Sequence, residues 1–232
     1  MVSEMQSTVI IPAAGSGTRF GSALPKQFIP LLGVPILVRT LQVFERTSAV
    51  QHIVLAASPD FHPLISELVE EYGVTKIAAI VQGGNERQDS IFNALQTSVC
   101  AASDVVLVHD AVRPFITPDF IRAIIESAWE QGAVVPGLVP KETIKECDEA
   151  GLVQTTHERS RLRAIQTPQG FRREVLTQAH TKAQQQGFLG TDDASVVEFA
   201  GFPVHIIAGE EKNIKITTPL DFLWAELLYQ MK

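Results

Sequence analysis

Two glycine-rich runs and a few charged residues near them are the parts of this sequence best suited to chemistry. Ala13, Ala14, Gly15, Ser16 and Gly17 are followed by Arg19 and, a little further on, by Lys26. Small side chains let backbone N–H groups approach an anion, and the cations can complete the neutralisation of a phosphate. No lysine follows Gly17 directly, which disfavours a P-loop kinase, and Phe20 stands where a dinucleotide-binding fingerprint would place its third glycine. A plain tight turn between strand and helix is the competing interpretation. The second run, residues 82–90, contains Gly83-Gly84, a pair that permits close backbone approach to a flat base. A turn ahead of a capped helix competes there. Asp110 closes an apolar run at 105–108, and a carboxylate in that position suits a hard divalent cation that also takes triphosphate oxygens, Mg²⁺ being the natural occupant. A helix cap or an ion pair with Arg113 fits the same residues equally well. His109 reads as structural, because no second His or Cys stands at metal-ligand spacing.

These residues need a scaffold, and the hydrophobic periodicity supplies one. Short β-branched runs predict strands over 8–11, 52–56, 77–81, 105–108, 133–136, 204–207 and 214–216. Apolar residues at i, i+3, i+4 predict helices over 36–46, 63–72, 88–99, 118–130, 173–186, 192–199 and 219–230. Pro63, Pro118 and Pro219 sit in first turns, where a missing N–H costs nothing. Asp60, Thr117 and Thr218 stand ahead of them, at capping positions. Strand–helix alternation implies βαβ units and a mainly parallel sheet, with ligands bound beyond the carboxyl ends of its strands. The glycine runs and Asp110 fall just there. Residues 141–159 break the rhythm with eight charged residues. A turn at 149–151 between 143–146 and 152–156 predicts a polar β-hairpin, which is marginal in isolation and needs something to pack on.

The 232 residues suit one compact unit, with no linker or repeat to divide it. A composition 45% apolar and 19% charged excludes a disordered chain. Nineteen basic against 26 acidic residues gives −7, which argues against general nucleic-acid binding. Cys100 and Cys147 match neither metal nor C-x-x-C spacing and read as reduced thiols. The apolar stretch 29–38 is too short for a bilayer and is broken by Pro30, Gly33 and Pro35. The first residues lack a basic cluster and do not read as a signal peptide. The expectation is a cytoplasmic protein without a membrane partner. Trp129 and Trp224 read as helix packing residues, and Glu67, Glu70 and Glu71 as a wet helix face.

A-A-G-x-G-T-R with P-K, then Gln82–Ser90, then Val108-His109-Asp110-Ala111-Val112-Arg113-Pro114-Phe115, resembles the nucleotidyltransferases that join a nucleoside triphosphate to a phosphorylated alcohol. With Thr167-Pro168-Gln169, Thr191-Asp192-Asp193-Ala194-Ser195 and Asn213-Ile214-Lys215, the order and spacing resemble the 2-C-methyl-D-erythritol 4-phosphate cytidylyltransferase family of the non-mevalonate isoprenoid pathway. Six motifs in sequence over nearly the whole chain make that resemblance specific. It implies a Rossmann-like three-layer α/β sandwich of nucleotide-diphospho-sugar transferase type, one domain over 1–232, with 138–160 as a dimerisation arm. It implies CTP and a polyol phosphate as substrates and Mg²⁺ as metal, held by Asp110.

The resemblance also distributes roles. The loop Ala13–Gly17 would take the nucleotide, with Gly83, Asn85 and Ser90 contacting the base. Arg19, Lys26 and Lys215 would clamp the phosphates during in-line attack by the substrate phosphate on the α-phosphorus of CTP. That chemistry asks for positioning and charge neutralisation and needs no covalent intermediate. Lone cations are usually solvated surface charges, and only their place in these motifs says otherwise. Thr143 and Arg159 would reach across a homodimer to the polyol phosphate of the neighbouring subunit. Thr191 and Asp192 would contact substrate hydroxyls, although Asp192 is equally suited to cap the helix after it. A ribitol 5-phosphate cytidylyltransferase shares several of the strings and is the nearest alternative, with a non-catalytic nucleotide-binding module more remote.

Overall fold

A computed structural model describes residues 5–15 and 24–231. Its centre is an eight-stranded sheet. Strands β1 (Ser7–Pro12), β2 (Pro30–Leu31), β3 (Val34–Pro35), β4 (His52–Ala57), β5 (Ile77–Gln82), β6 (Val105–Val108) and β7 (Ala133–Leu138) are joined by helices α1 (Ile36–Arg46), α2 (His62–Glu71), α3 (Arg87–Leu95), α4 (Ser98–Ala101) and α5 (Pro118–Gln131). After β7 come β8 (Lys145–Cys147), β9 (Val153–Thr156), β10 (Ala164–Ile165), β11 (Gln169–Arg172), α6 (Arg173–Gln186), α7 (Asp193–Ala200), β12 (His205–Ala208) and α8 (Pro219–Gln230). The sheet runs β10-β7-β11-β6-β1-β4-β5, with β12 on the other side of β7. Strands β6, β1, β4 and β5 are mutually parallel, as are β7 and β12, while β10 and β11 run antiparallel.

The central strands β1, β4, β6 and β7 are buried along most of their length, on both faces, so they read as continuous apolar runs. Along β1, Val9 and Ile11 point to the layer made by α1, α2 and α5, where Leu37, Phe44, Ile65 and Ile124 complete the core. Ile10 points the other way, to Ile91 of α3, Leu176 of α6 and Val197 of α7. Helices on both faces of a mostly parallel sheet make the expected three-layer sandwich.

The structure differs from the sequence expectations in four places. Residues 214–216 are not a strand: Ile216 is buried, but it makes one backbone bond to Val112 (3.0 Å) beside the site rather than joining the sheet. The helix expected over 88–99 is two helices, broken where Thr97 caps α4 by accepting from Cys100 N–H (3.3 Å). Asp60 caps nothing: it lies in a 3₁₀ turn ahead of α2, whereas Thr117 and Thr218 do cap α5 and α8. Trp129 and Trp224 are 45% and 57% exposed in the single chain, so neither is a core residue. Strand β11 is an addition, a four-residue antiparallel piece with no hydrophobic alternation to announce it. Gly170 within it is required, because a Cβ there would sit 2.7 Å from the Ile124 side chain of α5.

The polar hairpin forms as β8 and β9, paired antiparallel apart from the main sheet, and every residue of both strands is exposed. Asp148 closes its turn by accepting from Ala150 N–H (3.0 Å) and Leu152 N–H (2.9 Å), with Gly151 at φ 82°.

Candidate active site

Beyond the carboxyl ends of β1, β5 and β6 lies a cavity of about 370 Å³. Pro12 to Gly15 line one side, Gly84 to Arg87 and Ser90 another, and Asp110 to Val112 the floor, with Lys26, Gln27, Lys215 and Thr217 at the rim. Parallel strands end together, so three segments far apart in sequence converge there.

The two glycine runs touch. A Cβ on Gly83 would collide with the Ala14 Cβ, and one on Gly84 with Asp89 of α3. Ser90 holds the turn, accepting from Gly84 N–H (3.0 Å) and donating to the Glu86 carbonyl (3.2 Å). Glu86 and Asp89 cap α3 reciprocally. The capped Gly-Gly turn is therefore present, and the glycines' close approach is to Ala14 and α3. Asn85 and Ser90 still line the cavity.

Asp110 is almost surrounded by cations. Arg113 Nε lies 3.0 Å and Lys215 Nζ 3.1 Å from its Oδ2, and Arg87 Nε lies 3.9 Å from its Oδ1. Burial alone would raise its pKa, but Lys215, Arg113 and Arg87 outweigh that and hold it far below the usual carboxylate range. Arg113 also donates to the Asn213 carbonyl (2.8 Å), which ties the Lys215 segment to the floor. The ion pair expected as an alternative for Asp110 thus exists beside Lys215, whose side chain is still 42% exposed. His109 is structural: it is fully buried between the Arg113 carbonyl (3.0 Å) and Thr167 Oγ1 (3.1 Å). Burial, only partly offset by these contacts, lowers its pKa to about 4, so the ring is neutral.

Of the residues singled out from the sequence, Ala13, Ala14, Gly15, Lys26, Asn85, Ser90, Asp110 and Lys215 line one cavity. Gly83 sits directly behind it. Ser16, Gly17 and Arg19 lie outside the described residues. Thr143 and Arg159 are exposed on or beside the hairpin, with Arg159 Nη1 donating to the Lys141 carbonyl (2.6 Å), and neither lines the cavity of its own chain. Thr191 is exposed, and Asp192 caps α7 through Ser195 N–H (2.9 Å) while accepting from Gln169 Nε2 (2.7 Å). Its capping role is realised.

Among the lining residues not singled out as site residues are Gln27, Arg87 and Thr217. Arg87 bridges Asp110 and the buried Asp193, the latter at 2.8 Å, and Asp193 also meets His180 (3.2 Å). Its signal was available, since an Arg at the start of a helix after a Gly-Gly turn faces the strand ends. Thr217 is fixed by Asp221, which accepts from its N–H (2.8 Å) and hydroxyl (2.7 Å).

A cavity lined by the cations Lys26, Arg87 and Lys215, against the carboxylates Asp110 and Glu86, suits a polyanion. The profile of the 2-C-methyl-D-erythritol 4-phosphate cytidylyltransferase (IspD) family matches residues 7–231. The chain belongs to this family. A 2-C-methyl-D-erythritol 4-phosphate cytidylyltransferase of Bacillus mycoides is 46% identical over 219 residues, 94% of this chain and 96% of the relative. The enzyme of that name from Geobacillus kaustophilus is 44% identical over 225 residues, 97% of each chain. Among solved structures, the 4-diphosphocytidyl-2C-methyl-D-erythritol synthase of Anaerococcus prevotii superposes with a TM-score of 0.86 at 30% identity, covering 99% of this chain and 98% of that one. The Thermus thermophilus cytidylyltransferase gives 0.80 at 32%, covering 97% of this chain and 100% of that one. As an IspD-family chain it has the nucleotide-diphospho-sugar transferase fold, and the cavity at its strand ends is the family's candidate catalytic centre.

Proposed function

We propose that this chain transfers CMP from CTP to 2-C-methyl-D-erythritol 4-phosphate, releasing pyrophosphate. The observation that carries the reading is the convergence of the glycine loop, the Gly83-Gly84 turn and the cations Lys26, Arg87 and Lys215 on one cavity, in a chain matched to the family over 7–231. The substrate's phosphate oxygen is already a competent nucleophile, so the protein's work is alignment and charge neutralisation. Lys26 and Arg19 would stabilise the α-phosphate and leaving group, and Lys215 would approach from the Asp110 side.

Asp110 lies on the cavity floor and Glu86 on its wall, and no group of three His, Cys, Asp or Glu side chains among the described residues is placed to hold an ion by itself. That donor set fits Mg²⁺ shared between Asp110 and triphosphate oxygens. An ion held there by Asp110 would supply charge neutralisation for the leaving pyrophosphate.

The 138–160 segment acts as a dimerisation arm on a single catalytic domain. The exposed positions of Thr143 and Arg159 support a homodimer in which each arm serves the neighbouring cavity. So do two apolar surfaces left uncovered in one chain. Leu152 and Val153 on the arm are 67% and 47% exposed. Leu220, Leu223, Trp224 and Leu227 form an exposed stripe on α8, which begins beside Thr217. No helix of the described residues is long and apolar enough to cross a membrane.

Pyrophosphate release tests the activity, with CTP and Mg²⁺ and with 2-C-methyl-D-erythritol 4-phosphate and D-ribitol 5-phosphate offered in parallel. Turnover of the branched tetritol alone, abolished by EDTA, is the expected result. Turnover of ribitol phosphate alone would keep the nucleotide site and overturn the acceptor.

A further inference from the structure

We propose that Gln27 is a positioning residue that fixes the nucleotide-facing stretch Ala13–Gly15 by occupying the Ala13 and Gly15 carbonyls. The inference rests on the reading of that cavity as a CTP site and extends it to a side chain with no reactive group.

Residues Lys26–Phe28 form a single 3₁₀ turn after Pro25, closed by Phe28 N–H on the Pro25 carbonyl (2.9 Å). The turn sends its three side chains to three places. Lys26 lines the cavity. Phe28, 4% exposed, packs on Phe61 with ring centroids 5.0 Å apart and anchors the turn to the core. Gln27, 3% exposed, meets the wall of the cavity beside the loop, and its Nε2 donates to the Ala13 carbonyl (2.7 Å) and to the Gly15 carbonyl (3.1 Å).

An amide NH₂ has two hydrogens, and both are spent on these two bonds. The loop needs them. After Ala13 N–H bonds the Ala56 carbonyl (2.7 Å), the chain leaves the sheet, and its next carbonyls have no ladder partner. A buried carbonyl without a partner is costly, and one turned into the cavity would set its negative end against a phosphate. Gln27 answers both faults at these two positions. With carbonyls 13 and 15 committed to Gln27, neither is left as a free acceptor beside an anion. The same short turn therefore sets the loop and delivers the Lys26 cation, which couples the two halves of phosphate recognition.

Three proteins test this: the wild type, Gln27→Met and Gln27→Glu. CTP binding is measured by calorimetry, and steady-state constants are taken for both substrates. Gln27→Met has similar length and no donor. It is expected to raise Kd and KM for CTP about ten- to a hundredfold, the scale of two lost hydrogen bonds, and to leave KM for the polyol phosphate unchanged. A merely structural residue would lower the active fraction and spare both KM values. Gln27→Glu sets a carboxylate against two carbonyl oxygens. Its CTP affinity relative to wild type should recover as pH falls and the carboxyl regains a donor. Lys26, Arg87, Asp110 and Lys215 face the same space in both proteins, so the ratio isolates position 27. If Gln27→Met does not fold, Gln27→Glu at low and neutral pH carries the test alone. Wild-type binding of CTP with unaltered binding by the variants overturns the clamp. Absence of CTP binding by the wild type overturns the nucleotide reading and the clamp with it.

Discussion

The cavity floor and the hairpin arm carry similar charged residues and treat them in opposite ways. Around Asp110, three cations, a buried histidine and the Asn213 carbonyl hold one another within hydrogen-bond or ion-pair distance, beneath helices on both faces of the sheet. On the arm, Arg159 has one bond to a backbone carbonyl, and every residue of β8 and β9 is exposed. Surface ion pairs such as His157 with Glu146 (3.3 Å) contribute little. In the proposed homodimer, a single chain brings the described nucleotide-side residues together, and the acceptor side waits for the arm of a neighbour.

The largest expected effects fall on the cations. Replacing Lys26 by Met should lower turnover about 10²–10³-fold with the fold intact, the usual cost of losing one preorganised charge donor. Arg159→Ala should also cripple the enzyme, and a mixture of the two variants then breaks or sharpens the comparison. If the arm serves the neighbour, a heterodimer contains one intact site. Random exchange of subunits should then restore about a quarter of the wild-type sites. A mixture no more active than its components would place Arg159 in its own chain's cavity or outside the reaction.

The contrast also explains what could be read in advance. The apolar runs predicted six of the main-sheet strands and every long helix, because burial on both faces is written directly into composition and period. Strand β11 escaped, since Gln169-Gly170-Phe171-Arg172 has neither, and its place is set by β6 and β7 on either side. Residues 214–216 misled for the opposite reason, as β-branched residues buried against the loop after β6 mimic a strand. In the site, Lys26, Asp110 and Lys215 were legible from motif order, whereas Gln27 and Arg87 act through contacts that only the folded chain creates. Gln27 meets carbonyls 12 and 14 residues earlier, and Arg87 reaches Asp193 from the far side of the sequence.

Stability should report the same division through pH. His109, with its pKa at about 4 in the fold and near 6.5 unfolded, lets the unfolded chain bind a proton that the folded chain refuses. Unfolding free energy should therefore fall as pH drops from about 6.5 to about 4, by about 3 kcal/mol in total. Asp110 and Asp193 are both depressed against the effect of burial, so the stability they contribute is present at neutral pH and is lost only at still lower pH. Denaturant melts across this range should show the slope in wild type and in an arm-deleted protein alike, and His109→Gln should flatten its upper part. A slope that vanishes with the arm would place its origin in the arm instead of at His109.

A smaller effect belongs to helix α5, which packs against the sheet at the base of the arm. Thr117 accepts from Phe120 N–H (3.3 Å) and donates to Glu210 (3.0 Å), so Thr117→Ala should cost about 1 kcal/mol in thermal or urea unfolding, the usual value of a lost cap.

The smallest effect separates the two regions most directly. Cys147 lies on the exposed β8, while Cys100 has no exposed surface and burial pushes its thiol pKa up. Cys147→Ser should change stability by less than about 0.5 kcal/mol, as surface replacements do. A thiol reagent should label Cys147 rapidly in an isolated subunit and Cys100 only on unfolding. Dilution then turns the labelling rate into a probe of the arm. If a second copy covers β8, Cys147 should react more slowly at high protein concentration and faster as dimers part, with Cys100 unchanged. A Cys147 rate independent of concentration would mean that β8 stays open to solvent in the assembled enzyme, and that the partner meets the arm through its other strand or through the Arg159 turn.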